Sequence, residues 1–390
     1  MKTGQYEGKN AAGSGPTPKP IRIAFVVHLM QVAGAEVLVR ETIRQLQGRI
    51  TPTIFCLDAI GRIGEELIAE GVDLVCFHRK PGRDWGVSRQ MATAIRQRDI
   101  QIVHAHQYTP FFYSALAKPL CFFRPKVILT EHGRHYPDRV SPLRRAVNRL
   151  VLDHLADAVT ACCHFSAGGL TKTDGFAGAR IEIIENGIEI DRYGPPADKA
   201  LAKEDTGLEP HRRYLIHVAR HHPVKDQPTL IRGFALAAPD LPGVDLLMVG
   251  DGPLRGELEN LAVELRVPDR VKFLGIRTDI AELMRAADAF ALTSLSEAAS
   301  LTLLEAMASS LPAIVTNVGG NPEIVRHEQE GLLFPRGDAV GCADAIRRLF
   351  RDSELSARLG AAGRERALER YQLNRTVEEY FQLYSRLAGR

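Results

Sequence analysis

Several things are missing from this chain, and each absence narrows what it can do. No apolar run reaches the roughly 18 residues of a membrane-spanning helix, and no secretory-type apolar segment is present. Charge is nearly balanced, with 50 Lys and Arg against 47 Asp and Glu, a net of +3. So small an excess gives no electrostatic footing for nucleic acid. The six cysteines, Cys56, Cys76, Cys121, Cys162, Cys163 and Cys342, never form a C-x-x-C pair. Most lie in apolar strand-like runs, so reduced core thiols in a cytoplasmic setting are expected, adjacent Cys162 and Cys163 included. No G-x-G-x-x-G follows the first predicted strand, which argues against a dinucleotide-dependent dehydrogenase. No D-x-D sits in a strand-end loop, and no His, Cys and carboxylate pattern completes a recognisable metal site, so no metal is expected.

The chain does have 390 residues, 45% of them apolar, which is ordinary for a globular protein and long for one domain. Residues 1–20 are rich in Gly, Pro and Lys and are expected to be a disordered leader. From IRIAFVVH (21–28) onward, short β-branched runs alternate with helical stretches to about residue 190. That alternation predicts a parallel, doubly wound α/β sheet. A polar, turn-rich segment at 186–213 interrupts it, and the rhythm restarts from about 210 to 370. Two Rossmann-like domains in tandem, with a cleft between them, are predicted. Residues 373–387 form a last helix with Val377, Tyr380, Phe381, Tyr384 and Leu387 on one face.

Residues 294–325 carry the densest chemistry. A strand-like run ends at Thr293, and a helix is predicted from Ser300 or Leu301, apolar on nearly every face yet holding Glu305. Glu297 lies eight residues earlier, in the loop that feeds this helix. Free N–H groups at a helix start favour an anion such as a diphosphate. Carboxylates suit vicinal hydroxyls, as on ribose or a hexose. The two together suggest a nucleotide sugar. After strand PAIVT come Gly319-Gly320 and Asn321-Pro322-Glu323, read as a glycine turn with Asn321 as N-cap of a second helix.

The block E-A-A-S-L-T-L-L-E-A-M-A-S-S-L-P, followed by G-G-N-P-E, resembles the signature of the retaining family-four glycosyltransferases of the GT-B fold. Ala298 and Ser310 stand where that signature carries glycine. The resemblance implies an acceptor-binding first domain (21–190), a donor-nucleotide second domain (210–370), and a C-terminal segment (371–390) packing back on the first. It implies transfer of a hexose from a nucleoside diphosphate sugar to a hydroxyl of a glycan or lipid-linked acceptor, in cell-surface polysaccharide or glycolipid synthesis. It also assigns residues. Glu297 would hold the sugar, Glu305 the ribose, and backbone at Ser300, Leu301 and Thr302 the diphosphate. Arg220 and Lys225, in HVARHHPVKDQ, would neutralise the leaving diphosphate. Gly34, in V-A-G-A-E after the first strand, would let backbone approach a ligand. His132, in TEHGRHY with His135 beyond, would contact the donor sugar or acceptor, ahead of His106. His104 reads as a core histidine. Backbone at Gly275 and Ile276 would meet the base. Asn186-Gly187 reads as a turn before the crossover.

Ser141-Pro142 opens a helix whose apolar stripe, Leu143, Val147, Leu150, Val151 and Leu155, lies beside Arg144, Arg145 and Arg149. A core-facing helix with a solvated basic face is one reading. Peripheral contact with an anionic membrane, at the cytoplasmic face, is the other. Open at this stage are also a nucleotide-sugar epimerase or phosphorylase, a non-catalytic glycan-assembly subunit of the same fold, and an NAD-dependent oxidoreductase.

Overall fold

A computed structural model describes residues 19–31, 33–133 and 140–390. Most of the predicted leader, Val32 and His135 lie outside the described residues.

The first domain is a parallel sheet of seven strands: β1 (Ile21–Leu29), β2 (Ile50–Ala59), β3 (Asp73–Cys76), β4 (Ile102–His106), β5 (Lys126–Glu131), β6 (Ala158–Ala161) and β7 (Ile181–Ile183), in the order β3-β2-β1-β4-β5-β6-β7. The second is a parallel sheet of six: β8 (Arg213–Val218), β9 (Val244–Val249), β10 (Val271–Gly275), β11 (Ala289–Leu292), β12 (Ala313–Thr316) and β13 (Gly331–Phe334), in the order β10-β9-β8-β11-β12-β13. The near-continuous apolar run of β1 follows from burial on both faces. Ile21, Ile23, Phe25 and Val27 enter one core, while Ala24 and Val26 enter the other. Strand order reverses between β1 and β4 in one sheet and between β8 and β11 in the other. In open α/β sheets, ligands bind outside the carboxyl ends of strands at such reversals.

The two domains are tied by more than their connection. Ile188 donates its N–H to the Tyr371 carbonyl, and Leu373 donates back to the Ile188 carbonyl, both at 2.9 Å. Gly187 is required here, because a Cβ would stand 2.6 Å from the Gln372 carbonyl oxygen and from Thr376 Oγ1. The helix Leu373–Leu387 then crosses to the first domain, where Val377, Tyr380, Leu383 and Tyr384 share a core with Ile21, Ile23 and Phe25.

The segment opened by Ser141 departs from the core-facing reading. Ser141 Oγ caps it by accepting from the Arg144 N–H at 3.2 Å. A wide turn over Asn148–Leu152 buries Asn148 and Leu152, and Asp153 follows them inward. The Tyr108 hydroxyl donates to Asn148 Oδ1, and Asn148 Nδ2 donates to the Asp174 carbonyl. Most of the expected stripe is turned outward, with Leu143 70% and Leu150 71% exposed and Val147 and Val151 also at the surface, while Leu155 packs against the first-domain core.

Candidate functional site

Loops at the carboxyl ends of β8, β11 and β12 build one side of the site. Ser300 Oγ accepts from the Leu303 N–H at 3.4 Å, which starts the helix Leu301–Ala308 where the sequence placed it. Thr302 Oγ1 lies 3.1 Å from Ser300 Oγ. Ahead of this helix, the Lys225 ammonium meets Glu297 Oε2 at 2.6 Å. Ser294 Oγ donates to the same oxygen at 2.9 Å. The loop after β8 is stitched to the loop after β11. Thr293 Oγ1 reaches the carbonyls of Lys225 and Asp226, both at 3.0 Å, and the Leu295 N–H donates to the Val224 carbonyl at 2.8 Å. The lysine and the glutamate are therefore held by backbone as well as by charge.

The glycines after β12 exist because of close approach. A Cβ on Gly319 would stand 1.9 Å from the Glu297 carbonyl oxygen, and one on Gly320 would stand 2.1 Å from that of Ala298. The Gly320 N–H donates to the Glu297 carbonyl at 3.0 Å. Asn321 is not the N-cap expected from sequence. It is the first helical residue, and its Nδ2 donates to the Thr316 carbonyl at 3.0 Å. Lys225, expected from the sequence at the start of a helix, instead ends a short turn, Pro223–Lys225, and the helix begins at Gln227.

Arg220 is exposed, with no carboxylate partner among the described residues. It and Lys225 both act on one imidazole. His222 is lowered from its usual range by burial, then by the charges of Arg220 and Lys225. Gly275 ends β10 with φ 66, and its carbonyl accepts from the Gly250 N–H at 2.8 Å. Ile276 follows with its side chain 80% exposed.

Glu305 keeps different company. Burial raises its carboxyl to about 7, against the pull of the Tyr193 hydroxyl and the Arg192 charge. It borders a cavity of about 50 Å³ between the domains, lined also by Val37, Leu38, Gly187, Tyr193 and Leu301. That space suits a few waters at most. A larger, open hollow of about 360 Å³ lies around Gln372 and Arg375, and none of the expected site residues lines it.

The first domain supplies the opposite wall. Gly34 begins the helix Gly34–Gln45, and a Cβ there would touch Leu301 Cδ1 at 3.4 Å. His132 follows β5. Its Nε2 lies 2.7 Å from His106 Nδ1, and burial pushes it down to about 4. The neighbouring Gly133 abuts Ala298, 3.7 Å between the two Cβ positions. Ala298, the departure from the signature, packs its methyl on Cys162 and Cys163. Glu323 crosses the seam, accepting from the backbone N–H of His164 at 2.8 Å and Phe165 at 2.7 Å. The structure thus joins Lys225 to Glu297, sets Arg220 and Lys225 around His222, and places Gly34 and His132 across from the Glu297 loop. Ser294 and the crossing role of Glu323 escaped sequence reasoning. A lone serine in a loop carries no signal, and a glutamate in a short helix shows nothing of what faces it.

These paired parallel sheets, with charged loops of one facing histidine-bearing loops of the other, form the GT-B type of glycosyltransferase. In Anabaena, HepE in complex with UDP superposes with a TM-score of 0.83 at 22% identity, covering 94% of this chain and 100% of that one. WaaG, a glycosyltransferase involved in lipopolysaccharide biosynthesis, gives a TM-score of 0.73 at 18% identity, over 93% and 99% of the two chains. These likenesses show the fold alone. The family model described as Glycosyl transferases group 1 matches residues 198–366, and that described as Glycosyltransferase Family 4 matches residues 32–192. The N-acetyl-alpha-D-glucosaminyl L-malate synthase of Bacillus anthracis is 32% identical over 310 residues, spanning 78% of this chain and 79% of that one. A GDP-mannose-dependent phosphatidylinositol monomannoside mannosyltransferase of Mycobacterium tuberculosis is 30% identical, over 68% and 72%. The chain belongs to glycosyltransferase family 4, and it is an enzyme of that class.

Proposed function

We propose that the protein transfers a hexosyl group from a nucleoside diphosphate sugar to a hydroxyl of a glycan or lipid-linked acceptor, with retention at the anomeric carbon and without a metal. The observation that carries this reading is the Lys225–Glu297 pair at 2.6 Å, set ahead of the capped start of the Leu301–Ala308 helix. The bond from the anomeric carbon to the diphosphate oxygen breaks. The bond to the acceptor oxygen forms, and the acceptor proton leaves toward the departing diphosphate. Charge grows on that diphosphate. Lys225, Arg220 and the N–H groups at Ser300, Leu301 and Thr302 are the groups that would meet it. Glu297 would orient the sugar hydroxyls, with Lys225 and Ser294 fixing its carboxylate. Glu305 would take the ribose, which requires the domains to part around its small cavity. Gly34 and His132 would face donor or acceptor, and the backbone at Gly275 and Ile276 would meet the base.

The UDP and UDP-glucose complexes of HepE make uridine nucleotides the first donors to try. A thermal-shift screen of nucleoside diphosphates and their sugars, then an assay for nucleoside diphosphate release, tests the proposal. Release only when an acceptor is present, undiminished in EDTA, is expected. Release without acceptor together with an altered sugar would make it an epimerase. Binding without turnover against any acceptor would make it a non-catalytic subunit.

The outward Leu143, Val147, Leu150 and Val151, with Arg145 and Arg149 among them, support a second reading. This surface would lie on the anionic inner face of the plasma membrane, where a lipid-linked acceptor is presented. Among the described residues no helix is long and apolar enough to cross a membrane. Co-sedimentation with phosphatidylglycerol vesicles, lost in Leu143→Asp/Leu150→Asp, tests it.

A further inference from the structure

His106 and His132 come from neighbouring strands and share one short hydrogen bond, Nδ1 to Nε2, at 2.7 Å. Their rings lie 5.0 Å apart at 14°. The His106 ring is wedged between His104, at 4.1 Å, and Phe25, at 6.2 Å, and is only 4% exposed. His104 is itself clamped, Nδ1 at 2.7 Å from the Tyr384 hydroxyl and Nε2 at 2.7 Å from Thr130 Oγ1. The His106 ring is therefore packed between two rings and held at one nitrogen. Burial keeps both His106 and His132 neutral near pH 7.

Two neutral imidazoles put one proton in their shared bond, and two arrangements are open. If His132 donates, His106 keeps an N–H on Nε2. That atom is buried and has no partner among the described residues. If His106 donates, its Nε2 is a bare nitrogen, and the unmatched N–H moves to Nδ1 of His132. That atom is buried as well and has no partner among the described residues, but its residue as a whole is half-buried and lies beside the seam with Ala298, so parting of that seam would bring a ligand to it. An unpaired buried N–H is the rarer and costlier orphan. It is best carried where a ligand oxygen can reach it.

We propose that His106 is a positioning residue for glycosyl transfer: its Nδ1–H, given to His132 Nε2, fixes His132 as the tautomer that offers Nδ1–H to an oxygen of the substrate. This rests on His132 as a substrate-facing residue, and the tests separate the two.

The tautomer is read directly by nitrogen NMR of the full chain labelled at histidine, with the His132 signals assigned by their loss in His132→Gln. A protonated, pyrrole-type Nδ1 on His132 is expected, kept in His106→Asn, whose amide donates from the same place. In His106→Asp, which can only accept, the protonated nitrogen should switch to Nε2. A protonated His132 Nε2 in the unmodified protein overturns the proposal. Turnover with the donor found by the nucleotide screen gives the second arm. His106→Asn should stay within about threefold in kcat/KM. His106→Leu and His106→Asp should lose at least roughly tenfold, in the direction of the large losses that wrong tautomers cause elsewhere. His106→Asp at the unmodified rate, or His106→Leu matching His106→Asn, overturns the inference. Thermal melts confirm that each variant folds. If His132→Gln turns over normally, the placing of His132 at the substrate falls, while the NMR arm still decides what His106 does to it.

Discussion

The two walls of the cleft solve opposite problems. The second-domain wall is charged and open. Lys225 and Glu297 meet at 2.6 Å, Ser294 adds a second contact to the same oxygen, and Arg220 stands unpaired among the described residues. The first-domain wall is neutral and dense. His104, His106 and His132 form a run of neighbouring rings in which every imidazole is driven downward by burial. Charge on one side suits a leaving group that gathers charge. Neutral imidazoles on the other side can hold oxygens without attracting anions of their own. The division teaches that the charged wall is held in place by loops stitched through backbone, whereas the opposite wall is set by side-chain packing.

Breaking the charged wall should have the largest effect. Lys225→Ala should lower kcat by about 10²–10³-fold, the scale of losing one donor to a developing anion, with the melting profile kept. Unchanged turnover in a purified, folded variant would remove Lys225 from the chemistry. Next comes Glu305, which lies between the walls. Its folded value of about 7 stands above the ordinary carboxylate value of 4.5, so the fold favours the protonated form. That stabilisation is present below about 4.5 and is lost as pH rises through about 7. Glu305→Gln should therefore be more stable than the parent at pH 8 by up to about 3 kcal/mol, and alike at pH 4.5. Urea titrations at the two pH values measure this. If Glu305 holds the ribose as proposed, through its carboxylate, UDP binding should strengthen through pH 7 in the parent but not in the variant. With Glu305→Gln in place, no inflection from His132 should remain near pH 6.5, since that imidazole titrates at about 4.

Smaller effects sharpen the contrast. Glu323→Gln keeps an acceptor oxygen for only one of the His164 and Phe165 amides, turns an NH2 toward the other, and loses the charge that strengthens both. A loss of about 1–2 kcal/mol is expected in the denaturant midpoint. Ser294→Ala removes one of the two hydrogen bonds on Glu297 Oε2 and should cost roughly tenfold or less in kcat/KM. An effect as large as that of Lys225→Ala would mean that Ser294 meets substrate itself.

Much of this was legible in the chain. Two parallel sheets follow from the alternation of β-branched runs with helical stretches, because such strands must be buried on both faces. The charged wall was legible as a signature, since loops that approach backbone closely need glycine in place, as Gly319 and Gly320 show. The neighbours of Glu305 were not legible. Nothing at residue 305 announces Tyr193 and Arg192, which arrive from the connection more than a hundred positions earlier. The outward turn of Leu143 and Leu150 was hidden for a related reason. A stripe of apolar residues has the same spacing whether it faces a core or leaves it, and Asn148, polar in sequence, took the inner place through Tyr108 and Asp174.

The helix Leu373–Leu387 has a consequence for how the molecule comes into being. Tyr380 and Tyr384, fully enclosed beside Phe25, complete a core whose strands are synthesised first, yet they are synthesised last. The sheet that leaves the ribosome earliest must wait, with one flank uncovered, while the whole of its partner is translated. Assembly in the cell therefore ends where it began.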